Sequence, residues 1–274
     1  MNINFEKFYK LVDPYDLRAR LFPALLALVP AFVLIVCVYG EKATLGSALI
    51  TIPASCGCLF WLARVARNAG ISIQKKQWAR WGGSPTFIYL RYSNLEVIND
   101  PVTKERYHQV MAAGINKKFP SPEEEKNDPL EADNLYRSGV NWLKEQTRDT
   151  KKYAHLFKEN IAYGFHRNAL GIKPVAICIA LACLIIALIW TGVISAKAPY
   201  FQLDKISGLT FPHTFSILFS LAALLLWIFS INLESVDKAS LAYSERLLQS
   251  CEGMTKPIPK KRTTKASKEV EKAA

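Results

Sequence analysis

The sequence predicts an all-α integral membrane protein: four transmembrane helices arranged as two hairpins, with an intervening cytoplasmic helical domain. Three observations lead there. The 274 residues include 35 Lys or Arg and 23 Asp or Glu, yet four windows hold no charge at all: Leu21–Gly40, Ala43–Ala63, Pro174–Ala196 and Ile206–Leu233. Each window reaches the roughly 20 residues that a helix needs to cross a bilayer, and a single charge at mid-membrane costs about 2.5–3.5 kcal/mol. The basic residues next to the windows are unevenly distributed. Lys7, Lys10, Arg18, Arg20, Arg64, Arg67, Lys75, Lys76, Arg80, Lys158, Arg167, Lys173, Lys238 and Arg246 fall on one side, against Lys42, Lys197 and Lys205 on the other. That asymmetry orients both termini and the long middle segment toward the cytoplasm, and the plasma membrane is the expected location. Finally, five dipeptides, Asp13-Pro14, Ser84-Pro85, Asp100-Pro101, Ser121-Pro122 and Asp128-Pro129, pair an N-cap residue with a proline in the first helical position, a helix-start signature. A soluble single-core domain, a disordered chain and a disulfide-rich module are excluded by this pattern.

Residues 1–20 form a leader whose Phe5, Phe8, Tyr9 and Val12 alternate with Glu6, Lys7 and Lys10, an amphipathic face suited to the headgroup layer or to a neighbouring helix. Residues 21–63 form the first hairpin. Its second window is diluted by Thr44, Ser47, Thr51 and Ser55, while Pro23 and Pro30 in the first argue against a cleaved signal peptide.

The segment 64–173 is the cytoplasmic domain. The second span is expected to run on as a helix to Trp81 and stop at Gly82-Gly83. A helix from Pro101 should stop at Gly114, and one from Pro129 to about Thr147 should bury Leu130, Leu135, Val140, Trp142 and Leu143. Residues 174–233 are the second hairpin. Its last helix is expected to continue through 234–254 until Gly253 and Pro257 stop it. The tail, 255–274, is too polar to bury a core. Its Lys256, Lys260, Lys261, Arg262, Lys265 and Lys268 suit contact with anionic headgroups, at about 1 kcal/mol per cation. The surplus of +12 charges has the same reading, with nucleic acid a poor second.

Candidate ligand-binding residues form three groups. Gly82, Gly83 and Ser84 precede a helix start, where free backbone N–H groups meet anions; a plain turn explains them equally well. On one helix face, His155, Glu159 and His166 are four and seven residues apart. Imidazole and carboxylate are ordinary zinc ligands, but Gly164 is placed to break that helix, and no metal or other cofactor is expected. Arg148, Arg167 and Asn168 offer an anion site, Arg167 through its planar donor fork, or simple interfacial anchoring. Cys37, Cys56, Cys58, Cys178 and Cys183 lie in the apolar windows and read as packing residues; Cys251 ends the last helix and would be a palmitoylation site only in a eukaryotic setting.

Gly-x-Ser-x-Gly and His-Glu-x-x-His are absent, as is the Lys-Ser/Thr ending of a phosphate loop. No window contains an ionisable Asp, Glu, Lys or Arg of the kind that ion-coupled transport uses. The expected function is therefore non-enzymatic: a homo-oligomeric, multi-pass protein in an anionic bilayer. Its cytoplasmic helices would bind a protein partner or a small anionic ligand and signal to the spans. Two alternatives stand beside it. One is an oligomeric pore-forming effector, with Pro30 and Pro53 as kinks; the other is an enzyme acting on lipid headgroups through His155, Glu159, His166 and Arg167.

Overall fold

The computed structural model describes residues 13–40 and 45–254, with side chains from residue 55 onward in the second segment. The amphipathic leader face and the basic tail lie outside the described residues. All regular structure among the described residues is helical: α1 (Phe22–Tyr39), α2 (Leu45–Trp81), α3 (Pro85–Ile88), α4 (Pro101–Ile115), α5 (Pro122–Asn127), α6 (Pro129–Gln146), α7 (Ala154–Trp190), α8 (Phe211–Phe229) and α9 (Leu233–Gln249). A π-helical turn, Asp16–Leu21, leads into α1. Short 3-10 turns cover Leu203–Gly208 and Ser250–Met254.

Among the described residues, three segments are long and apolar enough to cross a membrane: Asp16–Tyr39, a stretch within Ala154–Trp190, and Phe211–Phe229. α1, α2, α7 and α8 pack as a bundle, with α7 at its centre. Ala24, Ala27, Ala66, Ala169, Ile172, Ala176 and Trp227 form the bundle core. The many alanines let backbones approach closely. Where α2 crosses α7, a Cβ on Gly171 would lie 2.5 Å from the Gly70 nitrogen and 2.9 Å from the Ala66 carbonyl oxygen, so only glycine fits.

Several sequence expectations are corrected. Gly164 does not interrupt α7, which runs unbroken through it and through Pro174 for 37 residues, about 55 Å. α1, α2, α8 and α9 all pack along it, and those contacts outweigh the local cost of glycine and proline. Gly164 instead admits the π-helical turn: a Cβ there would meet the Tyr15 hydroxyl at 2.7 Å and the Ala19 methyl at 2.9 Å. The last apolar helix does not continue into 234–254. It ends at Phe229, and Asn232 caps a new helix by accepting from the Ser235 N–H at 2.9 Å. Lys173, on α7, donates to the Ile228 and Ile231 carbonyls at 2.9 and 2.6 Å, placing a cation on the negative end of α8.

The other half of the molecule is a helical head. α4 passes through Gly114 and ends only at Asn116, in the left-handed region at φ 52°. The glycine is required because the Trp142 ring lies where its Cβ would be, at 2.3 Å. On α6 the buried positions are Ala132, Tyr136, Gly139, Val140 and Leu143, a regular helical stripe. Leu130, expected in the core, is 71% exposed, because it precedes that stripe in the first turn. Phe87, Leu90, Tyr107, Met111, Tyr136 and Leu143 share one core with Leu247, Leu248 and Cys251. The segment after α8 is thus a structural member of the head. Cys251 is 0% exposed, which closes it to acylation in the folded protein, and burial pushes its thiol up to about 12.

A polar network fastens the 89–99 segment to this core. Glu125 accepts from the Tyr92 N–H at 2.9 Å and the Tyr136 hydroxyl at 2.7 Å. Lys104 donates to the Arg91 carbonyl at 2.8 Å and to that of Asn94. The Arg91 fork binds Asp133 at 2.8 and 2.6 Å. His108 is 2% exposed, with Nε2 2.8 Å from the Leu90 carbonyl and Nδ1 3.2 Å from the Tyr92 hydroxyl. Burial pulls its pKa below the ordinary 6.5.

The unfolded chain therefore takes up a proton at His108 as pH falls through 6.5, and the folded chain resists it. Stability from this group is full above 6.5 and declines as pH drops toward the lower, folded value. Thermal unfolding at about pH 7 and about pH 5 should show this loss, and His108→Gln should shrink it. An equal loss in that variant would refute the assignment.

Candidate functional site

The residues singled out in the sequence do not form one site. Gly82 and Gly83 adopt φ of 77° and 147°, and their N–H groups bond back to the Ala79 and Trp78 carbonyls at 3.4 and 2.7 Å. That arrangement closes the end of α2. It leaves those donors unavailable to an anion, and Ser84 makes no side-chain cap on the four-residue α3. His155, Glu159 and His166 lie along α7, where a rise of about 1.5 Å per residue separates the two histidines by about 16 Å along the axis. Among the described residues no three His, Cys, Asp or Glu side chains come together in a way that would hold a metal ion.

Arg167 and Asn168 belong to a buried joint between helices. Asn168, 0% exposed, donates through Nδ2 to the Ala19 carbonyl at 2.7 Å, and its Oδ1 occupies the space beside Gly70. Arg167 donates to Gln74 and, at 3.3 Å, to Asn168, and its guanidinium stands 5.6 Å from the Tyr163 ring centre. One asparagine thus ties the π-helical turn to α7 at the point where α2 and α7 cross. An unmade bond at this depth costs about 1–3 kcal/mol. Next to the joint, Tyr163 stacks on Tyr243 of α9 at 6.2 Å, and Gln77 of α2 donates to Asp237 of α9.

Of the described candidates, Arg148 lines a cavity. A cleft of about 310 Å³ opens between the end of α6, the 147–153 turn, the first turns of α7, and Tyr243. Lys144, Thr147, Arg148, Thr150 and Asn160 supply its polar wall, and Asp13 and Tyr15 form the rim nearest α1. Arg148 is paired with Glu145 at 2.7 Å on the exposed side. Asp13 caps the Tyr15 N–H at 2.8 Å, and Thr147 donates to the Leu143 carbonyl at 2.9 Å. Lys144 has no acidic partner among the described residues, and burial pulls its pKa down. Burial also pushes the Tyr243 hydroxyl up to about 12, so it stays a neutral donor.

Sequence reasoning missed Lys144, Tyr15 and Tyr243. They come from three segments far apart in the chain, and no local pattern announces such convergence. Asn160 carried a signal only as part of a polar run. Lys256, Lys260, Lys261, Arg262, Lys265 and Lys268 lie outside the described residues.

Compared with known proteins, the chain matches no family model, and no significant similarity to a curated protein or to a solved structure is found. Function is therefore argued from the residues themselves.

Proposed function

We propose that this is a non-enzymatic, multi-pass plasma-membrane protein whose head binds a protein partner or a small anionic ligand in the cytoplasm and passes that event to its spans. The supporting observation is mechanical. α2 and α7, each of 37 residues, run unbroken from apolar stretches into the head, and Asn168, Gly70 and Gly171 lock their crossing. A change in the head then moves rigid levers rather than loops.

α2 begins inside the uncharged Ala43–Ala63 window, so it is read as the fourth span, paired with α1 in one hairpin as α7 is with α8. Arg64 and Arg67 follow the apolar part of α2 on the side of the head, which fits a cytoplasmic head and cytoplasmic termini. The basic tail would rest on anionic lipid, and assembly as a homo-oligomer would cover apolar helix faces.

The test uses the full chain in nanodiscs, exposed to the protein and small-molecule fractions of its own cell's cytosol, with amide exchange as readout. One fraction should slow exchange in the head and also change it at residues 16–21, beyond the Asn168 joint. Reporter fusions at residue 120 should report a cytoplasmic location. Protection in the head that never reaches residues 16–21 would remove the coupling. No protection by either fraction, or a reporter on the far side, would remove the whole reading.

A further inference from the structure

We infer that the cleft beside Lys144 and Arg148 is a binding site for a phosphate monoester group. The inference rests on the proposed function and names the class of its anionic ligand. Lys144 and Arg148, the latter also paired with Glu145, line one cleft of about 310 Å³, and among the described residues the one acid lining it, Asp13, is turned to the Tyr15 N–H. Lys144 is half-buried with no counter-charge among the described residues, an arrangement that costs stability unless an anion completes it.

The neutral groups in the same wall are Thr150, Asn160 and the Tyr243 hydroxyl, which offer hydrogen bonds from several directions. A tetrahedral phosphate, with oxygens pointing in all of them, uses such a set more fully than a planar carboxylate, and Arg adds a planar fork for it. The cleft has room for the phosphate and part of the group it esterifies.

Its position brings two sources within reach. Tyr15 lies six residues before Leu21, where the first uncharged window opens. Asn160 lies five residues before Phe165, which already lines an apolar pocket with Leu26 and Trp227. The cleft thus stands one to two helical turns above the apolar bundle, at a height where a lipid phosphate and a soluble phosphate ester both arrive. The walls come from α6, α7, α9 and the turn leading into α1. A bound phosphate would draw together the elements that carry a signal toward the spans.

The experiment uses the full chain in phosphatidylcholine nanodiscs, titrated with inorganic phosphate against chloride at matched ionic strength. Thermal midpoint and the acylation rate of Lys144, read by mass spectrometry, are followed. Phosphate should raise the midpoint and protect Lys144. Lys144→Met and Arg148→Gln should each weaken binding by about tenfold, the loss of one charge-assisted contact.

Without phosphate, Lys144→Met should be at least as stable as the natural protein, because it removes an unpaired, desolvated charge. Arg148→Gln should be nearly neutral, because its pair with Glu145 is exposed. Nanodiscs containing phosphatidic acid separate the sources: Lys144 protected by that lipid alone marks a headgroup site, and protection only by soluble phosphate marks a metabolite site.

Failure of both probes to protect Lys144 would overturn the inference, as would phosphate binding as tight as the natural protein's in either variant or a clear loss of stability in Lys144→Met without ligand. If both probes fail while a cytosolic fraction still protects the head, this site is wrong and the broader function stands.

Discussion

Gly171→Ala is expected to destabilise the protein by about 1–3 kcal/mol, and Gly171→Leu to abolish its recovery as a monodisperse species. The reason lies in what the new Cβ would meet. Its neighbours are the Gly70 nitrogen at 2.5 Å and the Ala66 carbonyl oxygen at 2.9 Å, both backbone atoms that cannot rotate away as a side chain does. α2 and α7 would have to separate along their crossing, and Asn168 would lose its grip on Ala19 in the same movement. Gly57 provides the control, since a Cβ there meets nothing within 4 Å. Gly57→Ala should leave stability unchanged or raise it by about 0.5–1 kcal/mol through helix propensity. Thermal unfolding followed by size-exclusion chromatography in mild detergent compares the two. Equal midpoints for Gly171→Ala and Gly57→Ala would show that the close crossing does not exist.

The second large effect belongs to the head. Glu125→Ala is expected to cost about 3 kcal/mol or more, since it strands several buried partners at once. The Tyr136 hydroxyl, on a side chain 0% exposed, loses its acceptor, and so do the N–H groups of Tyr92 and Ser93. Lys104, buried nearby, loses the negative charge that favours its protonated form. Tyr136→Phe should cost less, because it removes the donor along with the bond. Amide exchange should rise first across residues 89–99, the segment this network holds down. If Glu125→Ala unfolds no more readily than Tyr136→Phe, the carboxyl is not the hub that its contacts describe.

Both effects arise at residues whose importance the sequence hides. Gly171 lies in an ordinary run before an apolar window, and Glu125 in an acidic run that reads as surface. Glu125, on α5, is buried because Tyr92 and Ser93 of the 89–99 segment and Tyr136 of α6 converge on it, a convergence that the folded head makes and no local pattern shows. Leu130 is the reverse case. Its side chain looks like core, but it falls outside the stripe that Ala132, Tyr136, Gly139, Val140 and Leu143 present inward. Within the candidate site, Arg148 was legible as a cation in a polar run. Lys144 was not, because a lysine four residues before an arginine on an amphipathic helix normally faces water. Asn168 was legible as a polar residue at an interface, but its role as a joint depends on the Ala19 carbonyl, 149 residues away.

Local composition alone settled that the described chain is helical, where three of its helices are apolar enough for a bilayer, and that Asp100, Ser121 and Asp128 open helices with their side chains. Those properties depend on the few residues within a turn or two of each position, so they survive whatever the rest of the chain does. Tertiary structure decided that Gly164 and Pro174 would be carried inside one long helix, that residues 234–254 would join the head, and that Lys144, Arg148 and Tyr243 would face a common cleft. Each outcome turns on surfaces meeting between distant parts of the chain. There the energy of close packing and of satisfied buried polar groups exceeds the fraction of a kcal/mol to about 3 kcal/mol by which a single residue prefers or resists a helix.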